Sequence, residues 1–154
     1  MPNRFKVNQI MFFTVAALTV STLVQAEEVK KEDVPRAVVS AFEKSYPHAT
    51  VKSYEREERG GKTCYEIESI DGRTKRDILY NDSSSALEIE ESIEIKQLPE
   101  KVHQSFENKY SQGKILSAEK VTQGDVITYE LIVQIGKRKI EMEIDPSGKV
   151  LTAK

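Results

Sequence analysis

Val34-Pro35-Arg36-Ala37-Val38-Val39-Ser40-Ala41-Phe42-Glu43-Lys44-Ser45-Tyr46 returns 64 positions later as Leu98-Pro99-Glu100-Lys101-Val102-His103-Gln104-Ser105-Phe106-Glu107-Asn108-Lys109-Tyr110. The register holds without a gap from Val34/Leu98 to Glu90/Lys154, and 14 of those 57 pairs are identical. A period of that length marks one supersecondary unit used twice. Either unit alone is marginal, because a short chain buries too small a fraction of its surface. The two are therefore expected to pack into one body.

The unit starts well inside the chain. Arg4 and Lys6 precede an apolar run from Ile10 to Val24, and Gln25-Ala26 separates it from Glu27-Glu28. That is the layout of a cleavable secretory signal, so residues 1–26 are read as the signal and the mature chain is expected outside the cytoplasm, periplasmic or secreted, with no membrane association after cleavage. Loss of Arg4 and Lys6 reduces the 23 Lys and Arg to 21 against 25 Asp and Glu, a net charge near −4. Phosphate binding needs a basic excess on one face, so nucleic acid is excluded as a partner class. Cys64 is the sole cysteine, which forbids an internal disulfide. It is expected to be partly exposed on a strand, where it could join two chains in a dimer.

Within each copy the apolar period changes. Val34, Val38, Phe42 and Tyr46, like Leu98, Val102, Phe106 and Tyr110, recur every four residues and predict an amphipathic helix. Pro35 and Pro99 suit the first helical turn, Pro47 ends the first helix, and Gly113 marks the exit from the second. After the helix the alternation is by two, with Val51, Ser53 and Glu55 set against Lys52, Tyr54 and Arg56. Gly60-Gly61, Asp71-Gly72 and Ile135-Gly136 predict hairpins. Counting outward from Asp71-Gly72 sets Glu68 opposite Lys75 and Glu66 opposite Asp77. The count around Ile135-Gly136 sets Leu131 opposite Ile140. Asn81 to Ser85 and Asp145 to Gly148 turn the chain into a last strand, Ala86 to Ile89 or Val150-Leu151, and residues 90–97 are expected to be an ordered connection. The fold class is α+β, with repeats over residues 27–90 and 91–154, each one helix on a four-stranded antiparallel meander.

A helix opened by Val/Leu-Pro with Phe and Tyr four apart, followed by Tyr-Glu-(Ile/Leu), a Gly-centred hairpin and Asp-x-x-Gly, resembles the PepSY-like domains of secreted bacterial proteins. The residues that carry the likeness are Pro35, Phe42, Tyr46, Tyr65, Glu66 and Gly72, then Pro99, Phe106, Tyr110, Tyr129, Glu130, Gly136, Asp145 and Gly148. The resemblance covers the mature chain. It implies a fold similar to β-lactamase inhibitory protein and an exported binding module, with inhibition or regulation of an envelope or secreted peptidase as the implied role. Ser111 stands where the first copy has Pro47, and the turn from Asn81 to Ser85 lacks the glycine of its counterpart.

If the helices cover one sheet face, strand alternation places Lys52, Tyr54, Arg56, Glu66, Glu68, Lys75, Asp77 and Leu79 on the other. In the second copy the same face receives Leu116, Lys120, Glu130, Ile132, Lys139, Glu141 and Glu143. From this set Tyr54, Glu66, Glu68, Lys75, Asp77, Leu116, Glu130, Ile132, Lys139 and Glu141 form the candidate binding surface. Mixed apolar and charged composition suits a protein or peptide of the cell envelope. Opposed carboxylates, Glu66 with Asp77 and Glu130 with Glu141, could hold a hard cation, but exposed acids beside lysines are ordinarily a solvated ladder. His48 and His103 occupy non-equivalent places in the two copies and have no partner at zinc-ligand spacing. No catalytic residue, metal site or cofactor is expected. The alternative reading is a periplasmic protein that binds or senses a small ligand or metal ion between the copies.

Overall fold

The computed structural model describes residues 26–154, so the signal expected over residues 1–26 lies outside the described residues apart from Ala26. Strands Glu27–Val29 (β1), Thr50–Arg59 (β2), Lys62–Asp71 (β3), Thr74–Asn81 (β4) and Ala86–Ile93 (β5) precede Lys114–Gln123 (β6), Val126–Ile135 (β7), Arg138–Ile144 (β8) and Val150–Ala153 (β9). Helix α1, Arg36–Ser45, follows β1, and helix α2, Glu100–Lys109, follows β5. All nine strands form one antiparallel sheet in chain order. The class is α+β.

Each helix begins where a proline makes it begin. Val34 and Leu98 are extended, as residues before proline must be, and Pro35 and Pro99 sit at the N-cap, one position earlier than expected. Their carbonyls accept the first helical bonds, from Val38 and Val39 and from Val102 and His103. Tyr46 and Tyr110 close the helices by donating to Phe42 and Phe106 at 2.8 Å. Helix α1 lays Val38, Val39 and Phe42 on Ile67, Ile78 and Tyr80. Helix α2 lays Val102 and Phe106 on Leu131, Val133, Met142 and Ile144. Burial of each such side chain is worth roughly 1.5–3 kcal/mol, so the helices hold one face of the sheet and leave the other bare. His103 sits half-exposed with its ring edge-on to Phe106 and Nδ1 3.3 Å from Glu107.

Two β-bulges correct the sequence reading of the faces. Between Val51 and Ser53 in β2 and between Ile115 and Ser117 in β6, one extra residue interrupts the ladder. Such an insertion reverses the side-chain phase beyond it. Tyr54 therefore packs on the α1 core beside Val51, not on the bare face. Arg56 shares its side and pairs with Glu27 at 2.6 Å. Lys120 likewise falls on the helix side, in register with Glu91 and Tyr129, while Leu116 is the inserted residue and remains exposed.

The hairpins also sit one residue later than counted. Asp71 pairs with Thr74 and Ile135 with Arg138, so the loops are Gly72-Arg73 and Gly136-Lys137. Only the glycine of each loop has positive φ, 60° at Gly72 and 58° at Gly136. That suits a turn with glycine first, where the sequence reading had placed glycine second. Glu68 consequently faces Asp77, Glu66 faces Leu79, and Leu131 faces Met142. The slip is by two residues, so the apolar pairs stay on the core side.

The connection expected over residues 90–97 is ordered, half of it strand and Ile95–Gln97 a 3-10 turn. β5 continues to Ile93, and Ile89 to Ile93 pair with Thr122 to Ala118 of β6. With β1 added at the edge, the sheet has nine strands, where two four-stranded meanders would supply eight.

Helix α2 is fastened to the turn between β8 and β9. Gly148, at φ 90°, offers its carbonyl to the Ser105 hydroxyl at 2.5 Å, and a Cβ there would meet the Lys101 carbonyl oxygen at 2.8 Å. At Gly60 a Cβ would meet nothing within 4 Å. Gly148→Ala is expected to destabilise by about 2–3 kcal/mol, from backbone overlap added to the left-handed φ, against about 1 kcal/mol for Gly60→Ala. Chemical denaturation of both variants checks the order, and equal losses would mean that the contact between α2 and the turn is not tight.

Candidate functional site

The bare face is concave. Glu57, Cys64, Leu79, Glu88, Val121, Thr128 and Glu143 lie on it and are all buried, although both helices pack on the opposite side. A flat sheet would leave them open to water, so the sheet must curl over them. Arg59 of β2 supports this, since its Nη1 comes within 3.6 Å of Glu88 Oε1 on β5, three strands and about 14 Å away in a flat sheet. The Arg59 Nε also pairs with Glu57, and the Gln123 amide donates to the other oxygen of Glu88.

Carboxylates line this trough. Glu55 and Glu57 come from β2, Glu66 and Glu68 from β3, Asp77 from β4, Glu88 and Glu90 from β5. Glu119 comes from β6, Glu130 from β7, and Glu141 and Glu143 from β8. In register Glu55 faces Glu66, Glu68 faces Asp77, Asp77 faces Glu90, Glu119 faces Glu130, and Glu130 faces Glu143. Like charges directly opposite each other destabilise a ladder. Among the described residues no ion pair reaches Glu66, Asp77, Glu90, Glu119 or Glu130.

Burial and mutual repulsion raise the proton affinity of these acids. Glu66 is pushed up to about 7, by desolvation first and then by Asp77 and Glu55. Asp77 rises to about 7, by desolvation and then by Glu68 and Glu119, and Glu130 to about 7, by desolvation and then by Glu141 and Glu143. Glu90 at the centre goes higher still, through desolvation and then Glu130, Glu88 and Glu119. Desolvation also raises Glu55, Glu119 and Glu143.

Of the residues singled out in the sequence, Glu66, Glu68, Lys75, Asp77, Glu130, Ile132, Lys139 and Glu141 fall on the trough, with Lys75 and Lys139 exposed. Leu116 stands beside it at the bulge, and Tyr54 is on the other side of the sheet. Glu55, Glu57, Glu88, Glu90 and Glu119 escaped the sequence reading. The available signal was the identical pair Glu55 and Glu119, which keeps its place in both copies. Cys64, expected to be partly exposed, is buried, and burial pushes its thiol pKa up. Joining two chains through it would require β3 to open. Among the described residues no group of three or more His, Cys, Asp or Glu is arranged to hold a metal ion, and no helix is long and apolar enough to cross a membrane.

The sequence profile of a family described as beta-lactamase-inhibitor-like, PepSY-like matches residues 20–84 and 63–152. No curated protein matches the chain. Among solved structures the chain is similar to a proposed periplasmic protein from Bacteroides eggerthii, at 16% identity and TM-score 0.67 over 79% of this chain and 88% of that one. It is similar to a DUF2874 family protein from Bacteroides uniformis, at 17% identity and TM-score 0.65 over 78% and 88%. A BLIP-like protein from Bacteroides fragilis follows, at 20% identity and TM-score 0.60 over 77% and 84%.

The trough has a consequence for stability. Glu66, Asp77, Glu90 and Glu130 hold protons in the folded state that the unfolded chain releases near its ordinary carboxyl pKa. The stability they lend is complete below that value and is lost as pH rises through about 7 and beyond. The melting temperature is therefore expected to fall between about pH 5 and about pH 8, and Glu90→Gln to flatten the fall. A melting temperature that rises across this interval would show that the acids are not repelling one another.

Proposed function

The chain belongs to the beta-lactamase-inhibitor-like, PepSY-like family, and from that premise we propose that it is an exported, non-catalytic binding module, periplasmic or secreted, which docks a protein or peptide on the concave sheet face. In this reading residues 27–90 and 91–154 are two copies of one helix-and-four-strand unit, and the face is the surface they make jointly. Inhibition or regulation of an envelope or secreted peptidase is the activity such docking would serve.

The observation that carries the reading is a curved face that spans both halves and is covered by no element among the described residues. Over a floor of buried Leu79 and Val121 it mixes the partly exposed Ile132 with polar side chains, the composition of a protein-binding surface. The grooves on the helix side are poorer candidates. One is walled by Ile95, Leu98, His103 and Glu107 and another by Phe42, Tyr46, Pro47 and Tyr54, and each draws its lining from one half of the chain only.

A photo-reactive amino acid at Ile132, in the trough, and at Lys44, on the outer surface of α1, separates the two sides of the molecule. Irradiation in the native envelope is expected to give a discrete protein adduct from position 132 and none from position 44. Adducts from Lys44 alone would place the docking surface on the helices and overturn the reading.

A further inference from the structure

We propose that the concave face takes a cationic partner, a lysine- or arginine-bearing segment of a protein or peptide whose charged side chains seat among Glu90, Glu119 and Glu130. The proposal rests on the reading of that face as the docking surface and adds the chemistry of what docks there.

The arrangement of the acids selects this occupant over a metal ion. From Glu66 on β3 to Glu143 on β8 the carboxylates form a band across six strands, five strand spacings or roughly 24 Å along the sheet. A cation site needs oxygens that converge on one point, whereas a band spread over successive strands suits several positive charges carried on one chain. The protein's own cations offset it only in part. Arg59 is engaged by Glu57 and Glu88 at one end, exposed Lys75 acts on Asp77 and Glu119 without an ion pair to either, and Lys154 acts on Glu143.

An orphaned atom points the same way. Glu143 is only 5% exposed, and Thr128 donates a hydrogen bond to its carboxyl group, yet its Oε2 has no hydrogen-bond partner; Asp77 Oδ1 is similarly buried and unpartnered. A buried carboxylate oxygen without a donor costs about 1–3 kcal/mol, more when charged, and an incoming ammonium or guanidinium supplies the donor. Ile132, opposite Glu141 and only partly buried, offers apolar surface for the methylene stem of a lysine or arginine.

Docking of such a segment is coupled to proton release. Glu90 stands opposite Asp77 of β4 and is acted on by Glu66 from β3, Glu119 from β6, Glu130 from β7 and Glu88 on its own strand, while Lys75 of β4 lies beside Ser92. Positive charge placed among these groups lets them ionise.

The chain from Glu27 onward is titrated calorimetrically with a short oligolysine at neutral pH, in two buffers of different ionisation heat. Saturable binding is expected, with heats that differ between buffers by the amount proton release requires. Glu90→Gln with Glu130→Gln should weaken binding at least about tenfold without lowering the melting temperature, since it removes repelling charges. Glu107→Gln with Asp125→Asn, which replaces two carboxyl groups elsewhere, should leave binding unchanged. Equal losses in both pairs would reduce the effect to diffuse attraction and overturn the proposal. So would binding of oligoglutamate with similar affinity, or stabilisation by calcium alone equal to that by oligolysine. If oligolysine fails to bind while the Ile132 cross-link still forms, the cationic partner is ruled out and the docking face stands. If both fail, the face reading falls as well.

Discussion

The pairing of β5 with β6 is the contact on which the rest depends. Ile89 to Ile93 lie against Thr122 to Ala118, and this ladder turns two helix-covered meanders into one sheet. Without it the halves would each expose an unpaired strand edge, a template for association with other chains. With it, the short outer strands β1 and β9 are the edges among the described residues. The same ladder makes the curl continuous, so carboxylates contributed by strands from β2 to β8 share one trough.

Curvature then sets the electrostatics. On a flat, wet ladder these acids would be screened and nearly independent. Brought into a hollow and partly desolvated, they act on each other across several strands, as Glu130 does on Glu90 and Glu119 on Asp77. The helix side is built on the opposite principle. There Arg76, buried to 8% exposure, lies with its guanidinium 4.2 Å over the Tyr46 ring and bonds Glu91 at 2.8 Å, so charge is admitted singly and with a partner. One sheet thus carries a packed side where the buried charge has an ion-pair partner, although Arg76 Nη1 has no acceptor, and an open side where five acids have no ion pair.

How much of this could be read from sequence depends on periodicity. The helices were legible because proline starts them and Phe and Tyr recur at a spacing that only a helix explains. The strands were legible too, because hairpin glycines punctuate them. What failed was phase. A bulge leaves no local mark in an alternating string, so Tyr54 was assigned to the bare face when it packs beside Val51 on the core. The spacing of three between those two apolar residues, repeated as Ile115 and Ala118, is the trace the bulge does leave. Concavity left none, because it is a property of the whole sheet. Glu88 and Glu90 look like solvated strand residues until Arg59 is seen reaching across β3 and β4.

The composition of the trough is hard to explain by folding alone. Its apolar members, Leu79 and Val121, are buried without a helix above them, so the hollow could be filled with more of their kind and would gain stability. It holds Glu90 facing Asp77 and Glu130 facing Glu143 instead, pairs that repel when ionised and strand buried oxygens when one proton is shared. Replacement of buried charge by well-packed apolar groups is commonly neutral or stabilising. Retention of unmatched charge in a desolvated hollow is the ground on which we propose that the missing counter-charge arrives with a partner.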